Sequence, residues 1–188
     1  MFLSELFMST VDTPVGGLSL VADPMGVVRA AGFGPPQELV RRLGAATNGA
    51  ATGKAATHAA EVTPRADLGP VTRAVRAYLA GDLDALDDLP VEQQGGPFLQ
   101  RAWKVLREVP AGSTVSYTEL AALAGSPTAV RAAGQACARN LVAPIVPCHR
   151  VLRSDGSLGG YAYGLPIKRW LLDHELRGTS SAASAHAR

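Results

Sequence analysis

Cys148 stands directly after a proline and directly before a histidine and an arginine, in the apolar run Ile145-Val146-Pro147-Cys148-His149-Arg150. A thiol ionises at neutral pH when a base or a positive charge lies close to it. The adjoining His149 and Arg150 supply both, in a setting poor in water. Cysteine is intrinsically a strong nucleophile, so these residue types point to covalent chemistry on sulfur. A lone cysteine in apolar surroundings also reads as an inert core residue. The basic neighbours are what favour reactivity.

Nothing else in the chain competes for that chemistry. The 188 residues are 47% hydrophobic, enough to bury one good core or two small ones. The other cysteine, Cys137, lies among small residues with only Arg139 as a basic neighbour, and it reads as structural. There is no Cys-x-x-Cys pair and no Cys/His cluster at ligand spacing, so neither a metal nor a cofactor is expected. Met1-Phe2-Leu3 leads to Glu5 without the basic and apolar regions of an export signal. No apolar run is long enough to span a bilayer. These features predict a cytoplasmic chain with free thiols.

The charge is unevenly spread. Residues 1–92 hold seven Lys/Arg against eleven Asp/Glu, whereas residues 93–178 hold ten against five. A basic half that also carries the cysteine motif fits a nucleic-acid face, although a solvated surface has the same composition.

The elements that must position Cys148 follow from patterning. Leu6–Val11, Leu18–Ala22 and Val27–Phe33, separated by turns at Asp12–Gly17 and Asp23–Gly26, predict an antiparallel meander. A short helix over Gln37–Leu43, a loop over Gly44–Pro64 and a helix over Val71–Leu79 follow. Gln93-Gln94-Gly95-Gly96-Pro97 reads as a linker. Beyond it, Phe98–Val109 is amphipathic with a stop at Pro110-Ala111-Gly112. Ser116-Tyr117-Thr118-Glu119 has the form of a capping box, opening a helix that Gly125 ends. Ser126-Pro127 predicts the cap and first residue of the next helix, which runs to about Arg139. Two short helices joined by a Gly-containing turn make a helix-turn-helix. Its second helix is low in bulk, which suits close approach to another chain or tight internal packing. Ser154-Asp155-Gly156 predicts a hairpin-like turn. Leu165–Leu176 predicts an amphipathic helix capped by Gly178, and Thr179–Arg188 a disordered tail.

The spaced series Asn140…Pro147-Cys148-His149-Arg150-Val151…Gly156…Gly159-Gly160-Tyr161…Gly164-Leu165…Lys168…Leu171-Leu172…Glu175 resembles the O6-alkylguanine-DNA alkyltransferases, in detail over residues 96–177. The resemblance implies an α+β fold. Residues 1–92 would form a ribonuclease-H-like antiparallel sheet domain, and residues 96–178 a helix-turn-helix domain for DNA binding and transfer. It implies a protein, a monomer in solution, that binds double-stranded alkylated DNA from the minor groove and flips the damaged nucleotide out. The O6-alkyl group of guanine, with O4-alkylthymine as a second substrate, moves irreversibly to the protein's own cysteine. Cys148 matches the acceptor, His149 the histidine that takes the thiol proton through a water, and Glu175 the carboxylate that orients it. Asn140 matches the brace of the cysteine turn. Arg131 matches the side chain that fills the gap left by the flipped base. Tyr117 matches a tyrosine that crowds the adjacent phosphate and donates toward the purine. Thr118, Ala129, Val130 and Ser154 fall at DNA-contact positions. Pro147, Val151, Tyr161, Ala162 and Tyr163 fall at the pocket wall.

Two positions depart from the family's pattern. Leu141 stands where proline is usual and adds a backbone donor beside Asn140. Tyr163 stands where a small residue is usual, which predicts efficient methyl and poor benzyl transfer if the ring enters the pocket, the alternative being a ring that points outward to DNA or solvent. Two other classes compete with alkyl transfer. A non-catalytic reader of alkylated DNA would carry another residue in place of Cys148. A thiol hydrolase would place its histidine far from its cysteine and would not need a helix-turn-helix.

Overall fold

The computed structural model describes residues 5–48 and 62–186. Strands β1 (Leu6–Thr13), β2 (Gly16–Ala22) and β3 (Val28–Phe33) form the expected meander. Their inward residues Val11, Leu18, Leu20, Val28 and Ala30 enter the main core. The sheet has a fourth strand, β4 (Val62–Pro64), which pairs parallel to β1 and makes the order β3-β2-β1-β4. Those three residues had been assigned to the loop. A strand so short carries almost no pattern of its own and is defined by its partner.

Helix α1 (Pro36–Asn48) starts where expected but runs through Gly44. Ala45 and Ala46 favour helix and offset the glycine, and Thr47 Oγ1 donates back to the Leu43 carbonyl. Most of the remaining expected loop, 49–61, lies outside the described residues. Helix α2 (Pro70–Leu79) buries Val71, Thr72, Val75 and Tyr78.

Helix α3 (Pro97–Glu108) leads to β5 (Val115–Ser116) and α4 (Tyr117–Leu123). The capping box forms in full: Ser116 Oγ accepts from Glu119 N at 3.1 Å, and Glu119 Oε2 accepts from Ser116 N at 2.6 Å. Helix α5 (Val130–Arg139) completes the helix-turn-helix, but it begins later than Ser126-Pro127 predicts. Ala129 N donates to Ser126 O and closes a turn over Pro127-Thr128, so the cap position is Ala129, without a side-chain bond. Trp103 Nε1 donates to Ala136 O at 2.8 Å and Arg101 Nε to Ala124 O at 2.9 Å, pinning α3 to both helices.

A 3-10 turn (Cys148–Arg150) is followed by β6 (Val151–Leu152), which pairs parallel with β5. This pairing sets the cysteine turn beside the entry of α4. The Ser154–Gly156 turn is present, with Gly156 N donating to Arg153 O, yet among the described residues no second strand returns to make a hairpin.

Helix α6 spans Leu165–His186, so the end expected at Gly178 and the disordered tail are both corrected through residue 186. Gly178 sits inside the helix against the Leu83 side chain, and Thr179 Oγ1 donates back to the carbonyls of Glu175 and Leu176.

Sheet and helices share a backbone seam. Ala31 N donates to Leu141 O at 2.8 Å, and Ala143 N donates to Ala31 O at 3.0 Å. The segment that carries the cysteine is thereby bonded to the edge of β3.

Candidate active site

Cys148 is 6% exposed and lies on the wall of a cavity of about 320 Å³. Tyr117, Gly134, Cys137, Ala138, Gly160, Tyr161 and Ala162 complete the lining. The site therefore sits between the second helix of the helix-turn-helix and the 160–162 loop. Tyr161 and Ala162, expected at the pocket wall, line this cavity. Pro147, Val151 and Tyr163 are not part of this wall. Val151 turns its side chain into the core, where it is fully buried.

Tyr163 points away toward the sheet half. Its hydroxyl donates to Ala31 O at 3.3 Å and accepts from Arg42 Nη1 at 3.0 Å, and its ring packs edge-on against Phe33. The expected gate at Tyr163 is thus a tie between the two halves. Gly134, Cys137, Ala138 and Gly160 were missed as pocket residues. Their absent or small side chains carry no chemical signal, and Cys137 had been read as structural.

Several groups act on the Cys148 thiol. Burial pushes its pKa up, while the Asn140 amide and the Lys168 ammonium pull it back. Asn140 Nδ2 lies 3.1 Å from Sγ and also donates to Val146 O at 2.7 Å, closing the turn that presents the cysteine. Lys168 is fully buried on α6 with Nζ on Val151 O at 2.6 Å. Burial lowers its pKa, and the two cysteines favour its charged form.

His149 and Glu175 are both fully buried, with Nε2 and Oε1 2.8 Å apart. Burial lowers the histidine's pKa against the opposing pull of Glu175, so the ring is neutral at pH 7. A neutral ring that donates through Nε2 to the carboxylate leaves Nδ1 as an acceptor. Nδ1 is buried and has no protein partner among the described residues. Burial alone would raise the Glu175 carboxyl, but His149 and Arg150 outweigh it and hold it well below the usual range. Arg150 approaches it through Nε at 3.0 Å and Nη2 at 2.9 Å. Tyr78 Oη donates at 2.9 Å and Gly112 N at 3.2 Å. Tyr78 and Gly112 are long-range partners that spacing along the chain did not reveal.

Tyr117, the first residue of α4, is half-buried at the pocket. Burial raises its pKa, with the two cysteines adding to the shift, so the hydroxyl keeps its proton at neutral pH. Gly159 makes room for it: a Cβ there would lie 2.5 Å from Tyr117 Oη. Arg131, Thr118, Val130 and Ser154 are exposed, and Ala129 is half-buried. Arg131 is the second residue of α5 and extends from the helix-turn-helix into solvent.

A family model described as 6-O-methylguanine DNA methyltransferase, DNA binding domain, matches residues 97–177. The methylated-DNA–protein-cysteine methyltransferase of Homo sapiens is 34% identical over 196 residues, covering 96% of this chain and 89% of the human protein. The chain belongs to the O6-methylguanine-DNA methyltransferase family. The methyltransferase of that type from Shigella flexneri is 43% identical over 107 residues, and the chain spans 63% of its length. Among solved structures, the Mycobacterium tuberculosis OGT in complex with DNA superposes with a TM-score of 0.71 at 33% identity, covering 92% of this chain and 94% of that one. The α+β architecture, a sheet half joined to a helical DNA-binding half, is the one this methyltransferase family shares. Among the described residues no helix is long and apolar enough to cross a membrane.

Proposed function

We propose that this methyltransferase repairs DNA directly, moving one alkyl group from the O6 atom of a guanine in duplex DNA to Sγ of Cys148. The observation that carries this reading is the Cys148 thiol on the wall of a pocket that adjoins the helix-turn-helix, with the Asn140 amide on its sulfur. In the duplex, stacking and pairing shield O6, so the nucleotide leaves the stack at a cost of a few kcal/mol. Arg131, exposed as the second residue of α5, would fill the gap and offset part of that cost. Thr118, Val130 and Ser154, all exposed, would add polar and apolar contacts to the DNA.

The chemistry is a displacement at an sp3 carbon. The proton of Cys148 passes to Nδ1 of His149 through a water, as the family resemblance implies, and Glu175 steadies the resulting imidazolium through Nε2. Arg150 balances the Glu175 charge while the histidine is uncharged, and once the proton has moved the imidazolium is matched by the Cys148 thiolate. Sulfur then bonds to the alkyl carbon as the carbon–oxygen bond breaks. The electron pair returns to the purine, and the protonated Tyr117 hydroxyl is suited to donate toward it. The thioether carries no good leaving group, so each chain acts once. This assigns Cys148, His149, Glu175, Asn140 and Tyr117 to the reaction.

Intact mass spectrometry after incubation with O6-methylguanine duplex DNA tests the proposal. One added methyl per chain, mapped to Cys148 and lost in Cys148→Ser, is the expected result. An unchanged mass, or turnover beyond one equivalent, overturns it.

A further inference from the structure

We infer that Gln93 is a positioning residue for the reactive thiol, acting through Asn140. Gln93 belongs to the stretch that the sequence reads as a linker, yet it is only 8% exposed. Its backbone is held in place by Gln100 Nε2, which donates to Gln93 O at 2.7 Å. Two consecutive backbone donors, Leu141 N and Val142 N, then set the orientation of two side-chain amides. Leu141 N donates to Gln93 Oε1 at 2.9 Å, and Val142 N donates to Asn140 Oδ1 at 3.0 Å. With its oxygen on Leu141, Gln93 presents Nε2 to Asn140 Oδ1 at 3.2 Å.

The Asn140 oxygen is thus held by two donors on one side. Its Nδ2 is left facing Val146 O and Cys148 Sγ on the other. A half-turn of the Asn140 amide would set Nδ2 against Gln93 Nε2 and Val142 N, donor against donor. The same turn would set Oδ1 against Val146 O and the sulfur. Gln93 therefore supplies one of the two locks that keep an N–H on the sulfur, and a hydrogen bond to the charged form favours ionisation. Leu141 is part of the device, because its N–H, which a proline would lack, fixes the Gln93 amide.

This rests on Cys148 being the reacting thiol, so its test uses thiol acidity and not DNA. The rate of Cys148 alkylation by iodoacetamide, localised by peptide mapping, is followed against pH for wild type, Gln93→Met and Gln93→Glu. Methionine keeps the bulk and loses both hydrogen bonds. Glutamate can still accept from Leu141 but cannot donate to Asn140. Both variants are expected to raise the pH midpoint by about half to one unit, a loss of roughly three- to tenfold in thiolate at neutral pH. Adding Leu141→Pro to Gln93→Met removes the stranded donor, which should recover thermal stability and leave the raised midpoint in place. If Gln93→Met fails to fold, Gln93→Leu carries the comparison, because the charge of an ionised Gln93→Glu would raise the midpoint by itself. An unchanged midpoint alongside a lowered melting temperature would make Gln93 a purely structural residue and overturn the inference. A raised midpoint in the variants, beside a wild type that takes no methyl group from DNA, would refute the transfer reading and leave this one standing.

Discussion

Replacing Glu175 with glutamine tests whether its charge or only its shape holds the buried cluster together. The carboxylate receives His149 Nε2, Tyr78 Oη, Gly112 N and two nitrogens of Arg150, all within 3.2 Å. A glutamine keeps one acceptor oxygen and turns an NH2 against the remaining donors. Arg150, 6% exposed, keeps Val109 O but loses its counter-charge. Breaking a buried pair by removing one partner costs about 3–5 kcal/mol, a large share of the roughly 5–15 kcal/mol that holds a domain folded. For a chain of this size that corresponds to a fall of about 6–20 °C in Tm. Urea unfolding followed by the fluorescence of Trp103 and Trp170 measures the loss. The double variant Glu175→Met with Arg150→Met removes both charges and should be less destabilised than Glu175→Gln alone. A loss below about 1 kcal/mol for Glu175→Gln, or a double variant worse than the single, would refute the argument.

Stability should fall as pH drops below about 6.5, because unfolded His149 takes a proton that its buried form resists. Glu175, held low in the fold, adds a second loss below about 4.3. Unfolding free energies measured from pH 8 to 4 should show the first fall in wild type and a smaller one in His149→Gln. Tyr163→Phe should cost about 1 kcal/mol by removing the bonds to Ala31 and Arg42, without altering the ratio of methyl to benzyl transfer. A changed ratio would restore the pocket role that its sequence position suggests. Arg131→Ala should slow transfer from duplex DNA about tenfold or more, equivalent to ~1.4 kcal/mol, and spare transfer from the free alkylated base. Equal losses on the two substrates would remove Arg131 from the gap-filling role.

Local chemistry was legible in the sequence wherever the partners are neighbours along the chain. Cys148, His149 and Arg150 are contiguous. The Ser116–Glu119 capping box spans three residues, and both of its bonds form. Legibility stops where tertiary contact decides. Tyr78 meets Glu175 across 97 positions, and Gln93 meets Leu141 across 48. Tyr163 was placed at the pocket by its match to the family's pattern, but its hydroxyl is claimed by Ala31, 132 positions away. The Ser126-Pro127 cap failed differently: a turn closed by Ala129 N competes locally with the helix start and prevails.

The seam at Ala31 makes a different point about how the molecule could be divided. Its two bonds, Ala31 N to Leu141 O and Ala143 N to Ala31 O, join main chain to main chain and ask for no particular side chain. Together with Tyr78 on Glu175 and Gln93 on Asn140, they assemble the site from both sides of Gln94-Gly95-Gly96. Those three residues pack closely against Trp103 at Gly95, but none of these bonds between the two halves passes through them. A chain cut there holds two complementary templates, each with the strand edge or amide that the other lacks. Expressed as separate pieces, they are expected to associate through these bonds, and co-elution of the mixed fragments would check it.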